Sequence, residues 1–241
     1  MEREKDKMRE SAIEKDLFGM KDEKYAEFNR KLAPNIDPER IIGVRVPLIR
    51  SYAKKIKDTS EAKKFLKSVP HIYQEENQLH MCLINNMKDA DEVLKELDTF
   101  LPHVDNWAVC DNYGSKALKK HPTETMVYIN KWIAESSKTT SKTYVVRYGV
   151  GLLMSDYLDE NFESWMPETV AAITSDEYYI NMMCAWYMAT ALAKQQKTLL
   201  PYFTECRMDE TVWKMAVRKS IESFRIDDDL KKKLREIRYI K

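Results

Sequence analysis

Apolar residues recur along this chain at helical spacing. Val127, Ile129 and Ile133 stand in "TETMVYINKWIAE", and Leu152, Leu153 and Tyr157 in "GLLMSDY". Such spacing gathers side chains on one face of a helix. No stretch alternates apolar and polar residues as a half-buried strand would. Capping residues precede apolar runs at Asp105, Ser141, Ser175 and Asp209, at intervals of 36, 34 and 34 residues by subtraction. Partner helices fit between them in "TETMVYINKWIAE", "FESWMPETVAAI" and "KTLLPYFTECR". Upstream, "EENQLHMCLINNM" and "ADEVLKELDTFL" read as another pair, and Pro47 suits the first turn of a helix reaching Ile56.

One such pair cannot bury its own apolar stripe, so pairs stack and share a continuous core. The pattern predicts an all-α fold, an α-solenoid of antiparallel helix pairs with a concave inner face. It reads as one repeat domain over residues 1–241, with residues 1–20 a charged helix or lead. The helices capped at Asp105, Ser141, Ser175 and Asp209 share a register and are expected in one layer. Asp111 and Arg147 then fall at the same offset from their caps.

Composition agrees with helices: of 241 residues only 5 are Gly and 8 are Pro. The four cysteines (Cys82, Cys110, Cys184 and Cys206) form no CxxC pair, which points to a reducing compartment rather than a disulfide framework. The charged start lacks the apolar core of a secretory signal, and no segment is apolar for long enough to span a bilayer. A cytoplasmic protein, monomeric and free of membrane, is the expectation.

The net charge of +1 argues against bulk polyanion binding, but its distribution changes that picture. "IIGVRVPLIRSYAKKIK" carries Arg45, Arg50, Lys54, Lys55 and Lys57 and no acid. Between Asp111 and Val150 seven basic residues (Lys116, Lys119, Lys120, Lys131, Lys138, Lys142 and Arg147) face three acids, whereas residues 151–180 hold seven acids and no base. Segregation of this kind can build a basic face on a neutral molecule, although solvated helix faces would give the same count.

Metal chemistry has no pattern here. His71, His80, His103 and His121 show no ligand spacing, so structural or surface roles suit them better, and no phosphate-loop or dinucleotide motif implies a cofactor. Cys110 reads as a small buried thiol. Trp107 and Asp111, four apart, can converge on one ligand, while a core Trp beside a surface Asp is the plain alternative. Trp186 lies in the nearly all-apolar "NMMCAWYMATALAK", where a core role is equally natural. Arg147, enclosed in "TYVVRYGVGLL", needs an anionic partner, either Asp111 or an external phosphate. Aromatic faces attract cations, a carboxylate stabilises an oxocarbenium-like centre, and Arg holds phosphate. Together they suit cleavage of an N-glycosidic bond in DNA.

At these residues the chain resembles the AlkD-like DNA alkylation repair family, glycosylases built from HEAT-like helical repeats. "WAVCD" matches the family's Trp and Asp four apart, "VVRYG" its Arg one repeat later, and "CAWYM" its second Trp. "GVRVPLIR", Gly43 to Arg50, is similar to the N-terminal G-[IV]-R-x-P-x-x-R segment, and "HPTETMVYINKWI" to the KHP…KWI stretch. The likeness runs from about Lys24 to Glu236.

The resemblance implies excision of cationic N3- and N7-alkylpurines from double-stranded DNA, with neither metal nor cofactor and with the base left in the duplex. It assigns Asp111 to the developing positive charge and Trp107 and Trp186 to the deoxyribose. Arg147, Lys116, Lys119, Lys120, Lys142 and Arg45 fall to the DNA backbone. Pro34 and Pro38 interrupt "KLAPNIDPE", as in a branch lacking the family's groove-probing N-terminal helix. A DNA-binding paralogue without excision and a HEAT-type protein-interaction scaffold are the alternatives.

Overall fold

The computed structural model describes residues 11–137 and 139–240, and all regular structure among them is helical. Lys138 and the first ten residues of the charged lead lie outside the described residues. The chain folds as two compact units, one ending at Lys120 and the other beginning at His121.

The first unit contains α1 (Ala12–Gly19), α2 (Glu23–Leu32), α3 (Val46–Ile56), α4 (Ser60–Leu66), α5 (Gln74–Ile84), α6 (Ala90–Phe100), α7 (Trp107–Cys110) and α8 (Lys116–Lys120). Local chemistry sets the starts: Ser11, Asp22, Thr59 and Asp89 each accept a hydrogen bond from a first-turn N–H. Pro47 occupies the first turn of α3, as its fixed φ favours. Helix α3 packs on α5 and α5 on α7, while α6 packs on α8, so alternate helices fall into successive layers. Leu17, Val44, Ile49, Ala53 and Leu79 form the fully buried centre of this core.

Helix α5 is buried along its whole length although half of it is polar. Its buried ionisable groups have partners, whereas Gln74 Oε1 and Asn77 Oδ1 are buried with none among the described residues. The Glu75 carboxylate accepts from the N–H groups of Ile42 (2.9 Å), Gly43 (2.7 Å) and Val44 (3.3 Å), fixing the segment that enters α3. Burial pushes the Glu75 carboxyl up, and those N–H groups offset only part of the rise. Glu76 accepts from the N–H groups of Ile72 and Tyr73. His80 stacks on Phe100 at 3.8 Å, meets His71 through ring nitrogens 2.8 Å apart, and reaches Glu96 at 3.2 Å.

Burial first, then the neighbouring His80 and His103, lowers the pKa of His71 from 6.5 to about 3. In the unfolded chain this imidazole takes its proton near 6.5, whereas in the folded protein it stays neutral down to about 3. The unfolded state therefore binds more protons across that window, and stability falls as pH is lowered through it. Melting temperature measured against pH is expected to decline below 6.5 less steeply in His71→Gln than in the parent. His80, shifted in the same direction by burial, keeps part of the slope.

The second unit contains α9 (Pro122–Ala134), α10 (Thr143–Asp156), α11 (Met166–Ala171), α12 (Tyr178–Lys194), α13 (Gln196–Thr204), α14 (Glu210–Glu222) and α15 (Asp228–Glu236). Helices α10, α12 and α14 pack in succession, as their shared register predicts, with α9 against α10 and α13 against α12.

Three of the four expected caps move. Asn106 caps α7, accepting from the Val109 N–H at 3.0 Å, because Asp105 is taken by an ion pair with Arg40 at 2.8 Å. Lys142 and Glu177 precede α10 and α12, and Ser175 instead turns back to accept from the Glu177 N–H. Asp209 caps α14 as expected. Asp111 and Arg147 each lie five residues past the observed cap, by subtraction, so their shared offset survives. Ile129 and Ile133 are buried on α9, but Val127 is exposed, its place on the inner face being filled by Thr125 and Trp132.

Candidate nucleic-acid interface

Helix α7 has a single turn, and its burial pattern orients the residues of interest. Val109 and Cys110 are fully buried and anchor it, while Asn106 closes its start from inside the core. Trp107, Ala108 and Asp111 are left half-buried on the opposite side. Asp111 ends the turn, its N–H donating to the Trp107 carbonyl at 2.9 Å, which keeps the two one helical turn apart. The Tyr113 hydroxyl donates to the Asp111 carboxylate at 3.2 Å. Asn85 holds the next residue, its amide donating to the Asn112 carbonyl at 2.8 Å.

Trp107 and Asp111 border a hollow of about 290 Å³. Tyr25, Phe28 and Leu32 of α2 form one wall, Val46 and Arg50 of α3 another, and Gln74 and Gln78 of α5 the floor. Phe28 remains 55% exposed. Beside the hollow, sharing Arg50, Cys82 and Asn112 with it, runs a groove of about 820 Å³. Six cations, Arg50, Lys54, Lys57, Lys88, Lys116 and Lys120, line that groove, and among the described residues no acid does. Their like charges repel, an arrangement that an anion relieves.

Lys116 and Lys120 thus stand in the same groove system as Trp107 and Asp111. Lys119, exposed on α8, is not among the groove's lining residues. Arg45 is turned elsewhere: Asp22 accepts from its guanidinium at 2.8 Å, and it lies over the Tyr25 ring at 5.0 Å.

The second unit carries the other predicted residues. Arg147 is 4% exposed, donates to the Tyr179 carbonyl at 2.8 Å and lies 5.9 Å from the centre of that ring. A backbone carbonyl and a ring face are thus two of the groups that meet this guanidinium. Trp186 is 42% exposed on a helix otherwise largely buried, with the Lys219 ammonium 5.6 Å from its ring centre. Burial and the like charges of Arg147 and Arg218 lower the pKa of Lys219. Lys142 is ion-paired to Glu135 at 2.8 Å.

Sequence reasoning did not single out Lys88, Lys219, Tyr25, Phe28, Gln74 or Gln78. A signal existed for part of the groove, since Arg50, Lys54 and Lys57 follow the i, i+4, i+7 spacing of one helix face. Lys88 and Lys219 had none, because they come from turns and helices remote in sequence. Among the described residues no group of three or more His, Cys, Asp or Glu is placed to hold a metal ion, and no helix among them is long and apolar enough to cross a membrane.

A family model described as DNA alkylation repair enzyme matches residues 13–224. The chain belongs to the DNA alkylation repair enzyme family. No curated protein and no solved structure matches it. Membership gives this repair enzyme a role in DNA repair, with DNA as its partner. The acid-free groove is the part of the first unit whose charge suits that partner.

Proposed function

We propose that the protein is a DNA glycosylase that hydrolyses the N-glycosidic bond of cationic N3- and N7-alkylpurines in duplex DNA. The observation that carries this reading is the Asp111 carboxylate, set beside a half-exposed indole in a hollow that adjoins a groove whose charged lining residues are all cations. The cations attract the strand, and the carboxylate favours positive charge beside it.

The chemistry follows from the substrate's own charge. As the C1′–N bond breaks, its electron pair goes to the alkylated purine, which leaves neutral. Positive charge passes to the deoxyribose ring, where Asp111 stabilises it. Water then adds to C1′ and loses its proton to Asp111 or to solvent. The Trp107 face packs on the sugar and favours its developing charge. Trp186, with Lys219 over its ring, offers the DNA a second aromatic and cationic contact. Arg147 acts at a distance, positioning Tyr179 and adding positive charge near Lys219.

The test is release of 7-methylguanine or 3-methyladenine from alkylated duplex DNA by the full-length protein. Release supports the glycosylase. No release from folded protein that still binds duplex would leave a DNA binder without turnover, and the absence of both would leave a protein scaffold.

The groove makes its own prediction. Lys54→Glu and Lys116→Glu, each exposed and so tolerant of exchange, are each expected to weaken duplex binding about tenfold. The slope of log affinity against log salt should fall by about 0.9 for each phosphate that is no longer neutralised. An unchanged slope in both variants would place the DNA backbone elsewhere.

A further inference from the structure

We infer that Arg50 is a positioning residue, one that grips the phosphate adjoining the lesion's deoxyribose and so registers C1′ against Asp111. The groove's five lysines hold the neighbouring backbone without fixing that register. This rests on the glycosylase reading above, which seats the deoxyribose at Trp107 and Asp111, and it leaves the base in the duplex.

The place of Arg50 follows from one face of α3. Val46, Arg50, Lys54 and Lys57 are spaced by four, four and three residues by subtraction, which aligns them along the helix. Val46 borders the hollow, Lys54 and Lys57 line the groove, and Arg50 borders both. The helix thus runs from one into the other with Arg50 at the junction. Cys82 and Asn112 are the other residues that the two share, and Arg50 is the charged one. Burial pushes the Cys82 thiol up, and first the Asn112 amide, then the Arg50 guanidinium, offset part of the rise. That interaction sets the guanidinium near the Cys82 sulfur, where hollow and groove meet. Asp111 and Arg50 border the same hollow, a carboxylate for the sugar's developing charge and a guanidinium for its phosphate.

Residue type gives the second argument. Of the six groove cations Arg50 alone is an arginine. A guanidinium meets two phosphate oxygens through parallel N–H bonds and fixes orientation as well as distance, whereas an ammonium acts as a point charge. The other described arginines of the first unit are engaged: Arg30 by Glu23 at 3.3 Å, Arg40 by Asp105 at 2.8 Å and Arg45 by Asp22 at 2.8 Å. Arg50 has no such ion pair among the described residues, which leaves its fork open to an external anion. Phosphate and C1′ belong to one sugar unit, so a clamp on the first sets the reach of the second.

The experiment uses duplexes with a single 7-methylguanine, in which the phosphate on its 5′ or its 3′ side is replaced, one at a time, by an uncharged methylphosphonate. Single-turnover release and duplex affinity are measured for the parent, Arg50→Ala, Arg50→Lys and Lys116→Ala. Arg50 is exposed and alanine favours a helix, so α3 should be kept. Neutralising one of the two phosphates should slow release by the parent about 10–100-fold, the scale of a slightly misplaced reacting group. Arg50→Ala should slow release from the ordinary backbone by the same factor and be indifferent to that methylphosphonate, as two groups in contact require. Arg50→Lys should recover affinity but not rate. Lys116→Ala should weaken binding and keep the parent's sensitivity. A parent insensitive to both methylphosphonates, or an Arg50→Ala variant as sensitive as the parent, would overturn the proposal. No release by the parent would overturn the glycosylase reading instead. Affinities for the same backbones around a tetrahydrofuran abasic analogue then make the same comparison, and equal losses in parent and Arg50→Ala would overturn the phosphate contact too.

Discussion

Asp111→Asn is expected to slow single-turnover release of 7-methylguanine from alkylated duplex DNA by about 10²–10³-fold, the usual cost of removing one group aimed at developing charge. The exchange keeps the shape of the side chain, and the Tyr113 hydroxyl, 3.2 Å from the carboxylate, can still donate to the amide oxygen. What is lost is the negative charge beside the deoxyribose. Affinity for unmodified duplex should change by no more than a few-fold, because attraction of the strand comes from the six cations of the groove. A slower chemical step with binding retained identifies a group that acts in the transition state. Release as fast as in the parent would show that the carboxylate has no part in the chemistry, whatever its position.

Gly43→Ala should cost on the order of 3–4 kcal/mol, among the largest effects available to a single exchange. Gly43 has φ +95°, where an L side chain is strained, and a Cβ there would lie 2.5 Å from the Ala26 Cβ and 2.7 Å from the Asp22 carbonyl oxygen. Both obstacles belong to α2 or to its cap, so neither can swing aside as the end of a long side chain would. The Gly43 N–H is also held by Glu75 at 2.7 Å, and its carbonyl accepts from the Asp22 N–H at 3.0 Å. Relief requires α2 to move away from α3. The melting temperature should fall by about 10 °C for a chain of this length. Since α2 carries Tyr25 and Phe28, the variant should also lose the ring faces of the hollow. A melting temperature within about 2 °C of the parent would mean that α2 and this turn do not meet so closely in solution.

Several parts of the site are legible in the sequence, each for a local reason. The i, i+4 placement of Trp107 and Asp111 follows from one helical turn and needs no other part of the chain. Pro47 and Asp209 mark helix starts because a fixed φ and a short acceptor act within three residues. The cap at Asp105 moved because a tertiary partner, Arg40, competed for the same side chain, whereas the Ser175 hydroxyl is taken by the nearby Glu177 N–H. Arg45 reads as a cation available to DNA, yet Asp22, distant in sequence, pairs with it. Trp186 sits in a helix whose composition favours the core, and only the packing of α12 against both α10 and α14 leaves that one indole half-exposed.

The sequence by itself determined an all-helical chain of repeated pairs, the register that stacks α10, α12 and α14, and the pairing of an indole with a carboxylate on one turn. These follow from periodicity and capping, which operate over a few residues. Only the tertiary structure decided the fate of "QEENQLH" in α5, a polar string within a helix read as one of a pair. Its ionisable residues Glu75, Glu76 and His80 are buried because the N–H groups of residues 42–44, 72 and 73, together with the His71 ring, meet them from segments outside the helix. The same packing assembled the hollow from α2, α3, α5 and α7, and brought Lys88 into the groove beside Lys54 and Lys116. Local pattern can say which face of a helix is apolar. Which polar groups are buried depends on partners that the chain supplies from a distance.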